Sequence, residues 1–405
     1  MSWLPAAVLI LRCPSGEKQL YSVNWAFAMT TRPAAPALTT PPAETASTDE
    51  AHTLAKHGAA RIAAIDLFRG LAILEVVLHH LSGVALRFTQ PDTLLREALM
   101  ITNRTLHFAV PAFLFMTAVV LTRAALKDFR PGRYYWNRVK KSLLPYVLWT
   151  VLYVLFRVFT SQDPPSVLTD ATRWQLWLQY GKGYFHLYFL LIALQFYLVL
   201  PLLLPLVRRT PPFLVMLSAA FALQFAVYFL NRSPLINFRY PGTMALWYIP
   251  AITLGMYFGA HYSSFERFWL RYRPWIVGTA LFALIWYIPQ GVTVLSGGRV
   301  NTIEYSSANW VYTTAMALTL FGVAHSLARG PVWLQRPLAL LGASSLQVYL
   351  IHPAVLFFFN RWGYPGETVL FVLTLLGYAV LALAIPLGIA HALKGSRLSL
   401  WLFGR

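Results

Sequence analysis

The chain is predicted to be all-α: a polytopic membrane helix bundle of about ten transmembrane helices, with both termini cytoplasmic. Three observations predict this. Of the 405 residues, 58% are hydrophobic and only 12% charged, whereas a soluble globular chain carries about 25% charged residues. The apolar residues are gathered into stretches that match a bilayer, whose hydrocarbon core of about 30 Å needs about 20 residues at 1.5 Å each. Lys and Arg are shared unevenly between the loops. The single cysteine, Cys13, excludes a disulfide scaffold, and the abundance of apolar and aromatic residues excludes a wholly disordered chain.

In chain order, residues 1–58 are expected to be an unstructured cytoplasmic tail. The stretch 29–60 is rich in Ala, Thr and Pro, with too little apolar periodicity to fold. The apolar run 3–11 is too short for a span and lacks the basic region of a signal peptide, and Met29 is an alternative start. A transmembrane domain follows over 59–394, with spans at 62–86, 98–122, 142–160, 184–207, 213–230, 243–262, 274–288, 308–328, 338–360 and 368–393. The span at 274–288 is the shortest. Several spans carry proline, which a bundle tolerates when neighbouring groups re-satisfy the freed carbonyls. Residues 395–405 are expected to be a short cytoplasmic tail.

The net charge of +19 would suggest nucleic-acid binding in a soluble chain. Here it is spread around the spans and forms no single basic domain, so no nucleic-acid partner is expected. The even-numbered loops hold fourteen Lys and Arg against eight in the odd-numbered ones, which places the even loops and both termini in the cytoplasm. Seven of the fourteen lie between Arg123 and Lys141.

An ionisable residue within a span costs a few kcal/mol or more, and is a functional candidate by default. The first span holds Asp66, Arg69, Glu75, His79 and His80. On a helix turning about 100° per residue, Arg69 and His80 share a face about 16 Å apart. Asp66, three residues before Arg69, is close enough to pair with it. Glu75 and His79, i and i+4 on another face, read as a structural pair. Adjacent His79 and His80 diverge and cannot chelate a metal between them, and no Cys/His metal spacing, Gly-x-Ser-x-Gly elbow or phosphate loop is present. No metal is expected.

The stretch DLFRGLAILEVVLHH from Asp66, an Arg followed by ten residues and a His, resembles the first-helix motif of the acyltransferase-3 family of integral membrane acyltransferases. Three further segments are similar to that family: HFAVPAFLFMTAVVLTR from His107 to Arg123, GYFHLYFLLIALQFYLVLP from Gly183 to Pro201, and LGASSLQVYLIHP from Leu341 to Pro353. The resemblance they carry spans residues 62 to about 393, the whole membrane part. One departure is Met116-Thr117-Ala118, where the family usually has a Ser-Gly pair.

The resemblance implies transfer of an acyl group, commonly acetyl, from acyl-coenzyme A to a hydroxyl of a sugar, glycan precursor, glycolipid or secondary metabolite, in a bacterial inner membrane. The donor is a cosubstrate, with no permanently bound cofactor. The implied catalytic residues are His80, as the base that takes the hydroxyl proton, and Arg69, holding the donor along the same face. Arg123, Arg133 and Arg138 are the implied donor contacts within the basic cluster, which equally serves as a topology signal. Asp66, His186, Tyr349 and His352 are assigned to the acceptor path or to support of His80. Trp247 and Tyr248 are expected to be interfacial belt residues, with sugar stacking as the alternative. Two competing readings remain at this stage. One is a heparan-glucosaminide-type N-acetyltransferase or glucan succinyltransferase, whose first helices also read Asp-x-x-Arg-Gly. The other is a glycan or lipid transporter, which inverted repeats would support; no convincing repeat relates the two halves.

Overall fold

The computed structural model describes residues 48–404, with side chains from residue 63 onward. Cys13, Met29 and most of the expected N-terminal tail lie outside the described residues. The described residues contain no strand and fifteen α-helices: α1 (Thr48–Ala85), α2 (Leu94–Thr105), α3 (Ala109–Lys127), α4 (Pro131–Arg138), α5 (Leu144–Phe159), α6 (Ala171–Tyr180), α7 (Tyr188–Arg208), α8 (Phe213–Leu230), α9 (Ile249–Ala260), α10 (Phe265–Leu295), α11 (Thr302–Leu327), α12 (Val332–Ala343), α13 (Ser345–Trp362), α14 (Thr368–Ala392) and α15 (Arg397–Phe403). α1 begins within the stretch expected as tail.

Among the described residues, seven stretches are long and apolar enough to cross a membrane, and α12 with α13, bent by 76° at Ser344, makes an eighth if the pair is one span. The other two predicted spans correspond to α9, only 12 residues long, and to α11, whose first half is polar. The shortest predicted span, 274–288, lies inside the 31-residue α10. Its basic N-terminal half, with Arg267, Arg271 and Arg273, hid the length from a hydropathy reading. The predicted second span is broken by a turn at 106–108 between α2 and α3, and His107 sits in the break. Residues expected as a short C-terminal tail fold back as α15, where the Trp149 indole of α5 donates to the Leu402 carbonyl at 2.8 Å.

α1 is the central helix because it is apolar on opposite flanks. Leu67, Phe68 and Ala72 enter one core with Phe115, Phe258 and Phe321. Ile73, Val76, Val77 and Leu81 enter a second with Tyr153, Val348 and Leu350. A helix enclosed in this way keeps its polar side chains from lipid, which is the condition for holding ionisable groups at membrane depth. α14 is the opposite case, with 11% of its apolar window buried against 61% for the 94–127 stretch. Its exposed Leu373, Leu376 and Val380 form a face suited to lipid. α9 reaches its place beside α3 because Gly255 and Gly259, four residues apart, let it lie on the Phe115 and Val119 carbonyls. This small-residue spacing is the usual route to close helix approach in membranes, where lipid removes the hydrophobic drive between helices.

Candidate active site

His79 and His80 face different walls because successive helix positions diverge by about 100°. Nδ1 of His79 lies 2.8 Å from the Asn103 carbonyl. In return the Asn103 amide donates to the His79 carbonyl at 2.8 Å and to Ser82 Oγ at 3.1 Å. This exchange pins α1 to the end of α2. A carbonyl only accepts, so Nδ1 carries the proton and the neutral ring keeps its lone pair on Nε2. His352 of α13 is held alike, donating from Nδ1 to the Val348 carbonyl one turn back at 2.9 Å. Its Nε2 is buried with no hydrogen-bond partner.

His80 lies between these two oriented rings. Its ring centroid is 5.0 Å from that of His79, 5.6 Å from His352 in a stacked arrangement, and 4.9 Å from Phe185. His186, in the turn before α7, is 6.0 Å from His352 and has both ring nitrogens buried without partners. His107 lies 5.4 Å from His79, with Nδ1 3.2 Å from the Tyr287 hydroxyl. The break between α2 and α3, the turn before α7 and the bent α12–α13 pair thus gather five histidines around α1. Among the described residues no three His, Cys, Asp or Glu side chains are grouped to hold a metal ion.

Three cavities meet this cluster or approach it. One of about 250 Å³ is lined by His79, His80, His107 and His186, with Trp247 and Trp310 among its aromatic walls. A second, of about 370 Å³, lies toward the Arg69 end of α1, with Arg69, Arg138, Lys141, Tyr197 and Phe403 in its lining. Tyr349 borders both, its hydroxyl bonded to the His186 carbonyl. A third, of about 830 Å³, is shared with the first through His79 and His80 and extends toward the Arg87 end of α1.

The structure sorts the candidates named from sequence. Arg69 and His80 line two different cavities that have Tyr349 as a common wall. Asp66 pairs with Arg69 at 3.6 Å, and both side chains are 36% exposed. Such a pair contributes at most about 1 kcal/mol, so Arg69 can exchange it for a phosphate. Arg138 lies with Arg69 in the second cavity, its guanidinium 5.2 Å from the Tyr197 ring and its Nε buried without a hydrogen-bond partner. Arg133 lines a smaller neighbouring cavity with Arg138. Arg123, named from sequence with Arg133 and Arg138, lies over the Tyr262 ring at 4.3 Å and lines none of these cavities. Its position at the end of the second-helix motif turns it toward the loop after α9. Glu75 and His79 do not pair as expected: His79 takes the Asn103 carbonyl, and both Glu75 oxygens are buried without hydrogen-bond partners. Trp247 and Tyr248, expected in an interfacial belt, line the histidine cavity, because the 3-10 turns before α9 fold inward, where Trp247 packs on Trp310 at 5.8 Å.

Sequence reasoning gave no role to Asn103, quoted His107 only as the start of a family-like segment, and counted Lys141 only as a member of the basic cluster. It also passed over Arg104 and Arg157, although each lies inside a predicted span and the rule that flagged Arg69 applies to them equally.

The family model described as an acyltransferase domain, acyltransferase-3, matches residues 62–391. The chain belongs to the acyltransferase-3 family. It is a multi-pass membrane acyltransferase, and the matched acyltransferase-3 segment contains every element that builds the histidine cluster and its three cavities, apart from the wall supplied by α15. No curated protein and no solved structure matches the chain.

Proposed function

We propose that the protein moves an acyl group, acetyl in the simplest case, from acyl-CoA to a hydroxyl of a carbohydrate, glycolipid or secondary metabolite in a bacterial inner membrane. The observation that carries this reading is the sharing of Tyr349 between the cationic cavity and the histidine cavity. A donor whose phosphates rest on Arg69, Arg138 and Lys141 would bring its thioester arm to Tyr349, the wall that this cavity shares with the one lined by His80. With the Arg69 end toward the cytoplasm, as the loop charges favour, the donor enters from the compartment that supplies it.

The chemistry then follows from placement. His80 takes the proton of the acceptor hydroxyl as its oxygen attacks the thioester carbonyl. The new C–O bond forms, the C–S bond breaks, and the proton passes from His80 to the departing thiolate. Trp247 and Trp310 supply flat apolar walls suited to a sugar ring.

Replacing Arg138 by Gln tests the donor end. Loss of a charge-assisted contact worth about 1.5 kcal/mol or more raises the KM for acetyl-CoA about tenfold or more, with kcat kept, because the contact lies remote from the reacting carbon. An unchanged KM in steady-state assays of purified protein, with labelled acetyl-CoA, removes the second cavity as the donor site.

A further inference from the structure

The third cavity has a composition that the reaction does not require. Its lining includes Arg87, Arg104, Arg157 and Lys182 and no carboxylate. Among the described residues, only Arg157 of these four has an acidic partner, Asp163. The other three meet neutral groups. Arg87 donates to the Asn360 amide oxygen at 3.2 Å, Arg104 to the Asn103 amide oxygen at 3.1 Å from Nε, and Lys182 rests 4.5 Å from the Tyr240 ring. Arg104 is half-buried and sits one residue from Asn103, the residue that orients His79.

Holding several like charges around one cavity raises their mutual repulsion, and low-dielectric walls focus the resulting field on whatever enters. Arg87 and Lys182 also run against the charge bias of the loops, being on the side where the positive-inside rule keeps cations few. Topology therefore does not account for them. The cavity reaches His79 and His80 from the end of α1 opposite to Arg69, so its occupant meets the base from the side that the donor does not use.

We propose that this cavity is the acceptor entrance and selects an acceptor bearing a negative charge close to the hydroxyl that is acylated, a phosphate or a carboxylate. The proposal rests on the acyl-transfer reading and names the substrate class of the same site. Tyr184 and Phe185 flank the entrance and give the acceptor apolar and aromatic surface, while the guanidinium groups, with their paired donors, suit either oxyanion.

The test is direct binding without donor, so its result is independent of whether acyl-CoA proves to be the cosubstrate. Full-length protein in nanodiscs is titrated at low ionic strength with glucose 1-phosphate, glucuronic acid and uncharged glucose. The double variant Arg87→Gln/Lys182→Gln is titrated beside it, with Arg299→Gln as a control at an exposed arginine in the loop after α10, outside the cavity lining. The expected result is anion binding by wild type and by Arg299→Gln, weakened on the order of tenfold or more in the double variant and falling with added salt, with glucose binding weaker than either anion. Saturable binding of only glucose 1-phosphate assigns a phosphate-bearing acceptor, and of only glucuronic acid a carboxylate-bearing one; both outcomes support the proposal. Absence of anion binding, equal anion affinity in wild type and double variant, or glucose bound as tightly as the anions overturns it. The variant Arg87→Lys, which keeps the charge, restores most of the affinity lost in Arg87→Gln and separates a binding role from a folding one.

Discussion

His80→Ala is expected to lower acyl transfer by about two to four orders of magnitude, the usual contribution of a positioned general base. The KM for acetyl-CoA stays within about twofold, because removing an interaction made only in the transition state lowers kcat and kcat/KM together. Geometry separates His80 from its neighbours. His79 and His352 both donate from Nδ1 to backbone carbonyls, which fixes their orientation. His79 and His80 both line the histidine cavity and the one opening at the far end of α1, and of the two it is His80 that stacks on His352. A hydroxyl entering from one side and a thioester from the other therefore meet at its ring. His352→Ala removes the stacked support and is expected to cost less, about tenfold, since it leaves the base itself in place. Wild-type transfer rates in purified His80→Ala would sink the mechanism; a His352→Ala defect larger than that of His80→Ala would move the base to His352.

How much of this was legible follows from what a one-dimensional pattern can hold. The spacing of Arg69 and His80 on one helix is a local property, and a regular helix converts it directly into position. That is why the core of the candidate site could be read from α1 alone. His186 and His352 were placed near it only through motif resemblance, and their distance from α1 in sequence carries no geometric information of its own. The inward turn of Trp247 and Tyr248 was illegible because belt and cavity aromatics have the same composition, and only the path of the 3-10 turns distinguishes them. The direction Arg123 faces was illegible for the same reason: the end of a span specifies depth but not azimuth, and azimuth sets its guanidinium over the Tyr262 ring. The spacing of Gly255 and Gly259 was a readable packing signal that hydropathy overlooks, since glycine adds little to either side of that scale. The break at 106–108 was hidden because the apolar run continues through it.

Gly342→Ala is expected to destabilise the protein by on the order of 2–3 kcal/mol, the upper part of the range for overpacked interiors, and to weaken donor binding with it. α12 crosses α1 with backbone against backbone. A methyl group on Gly342 would meet the Asp66 carbonyl and stand 3.0 Å from the Gly70 nitrogen, and one on Gly70 would stand 2.8 Å from the Leu338 carbonyl carbon. Neither obstacle is a side chain that can rotate away, so the helices must part. Density like that of a crystal leaves no slack to absorb the movement. The turn of α1 that is displaced carries Asp66 and Arg69, whose guanidinium lines the cavity proposed for the donor, and the proposal therefore couples this packing defect to the KM for acetyl-CoA. Gly377→Ala in α14 is the matched control. It has open space around it, so the same substitution should be neutral or stabilise by about 0.5–1 kcal/mol through helix propensity. Thermal unfolding in detergent should therefore show a lowered midpoint for Gly342→Ala and an unchanged or raised one for Gly377→Ala, with the loss at Gly342 accompanied by a raised KM. Equal midpoints for the two variants would show that the α1–α12 contact is looser than the structure has it, and that the Arg69 turn is held by something else.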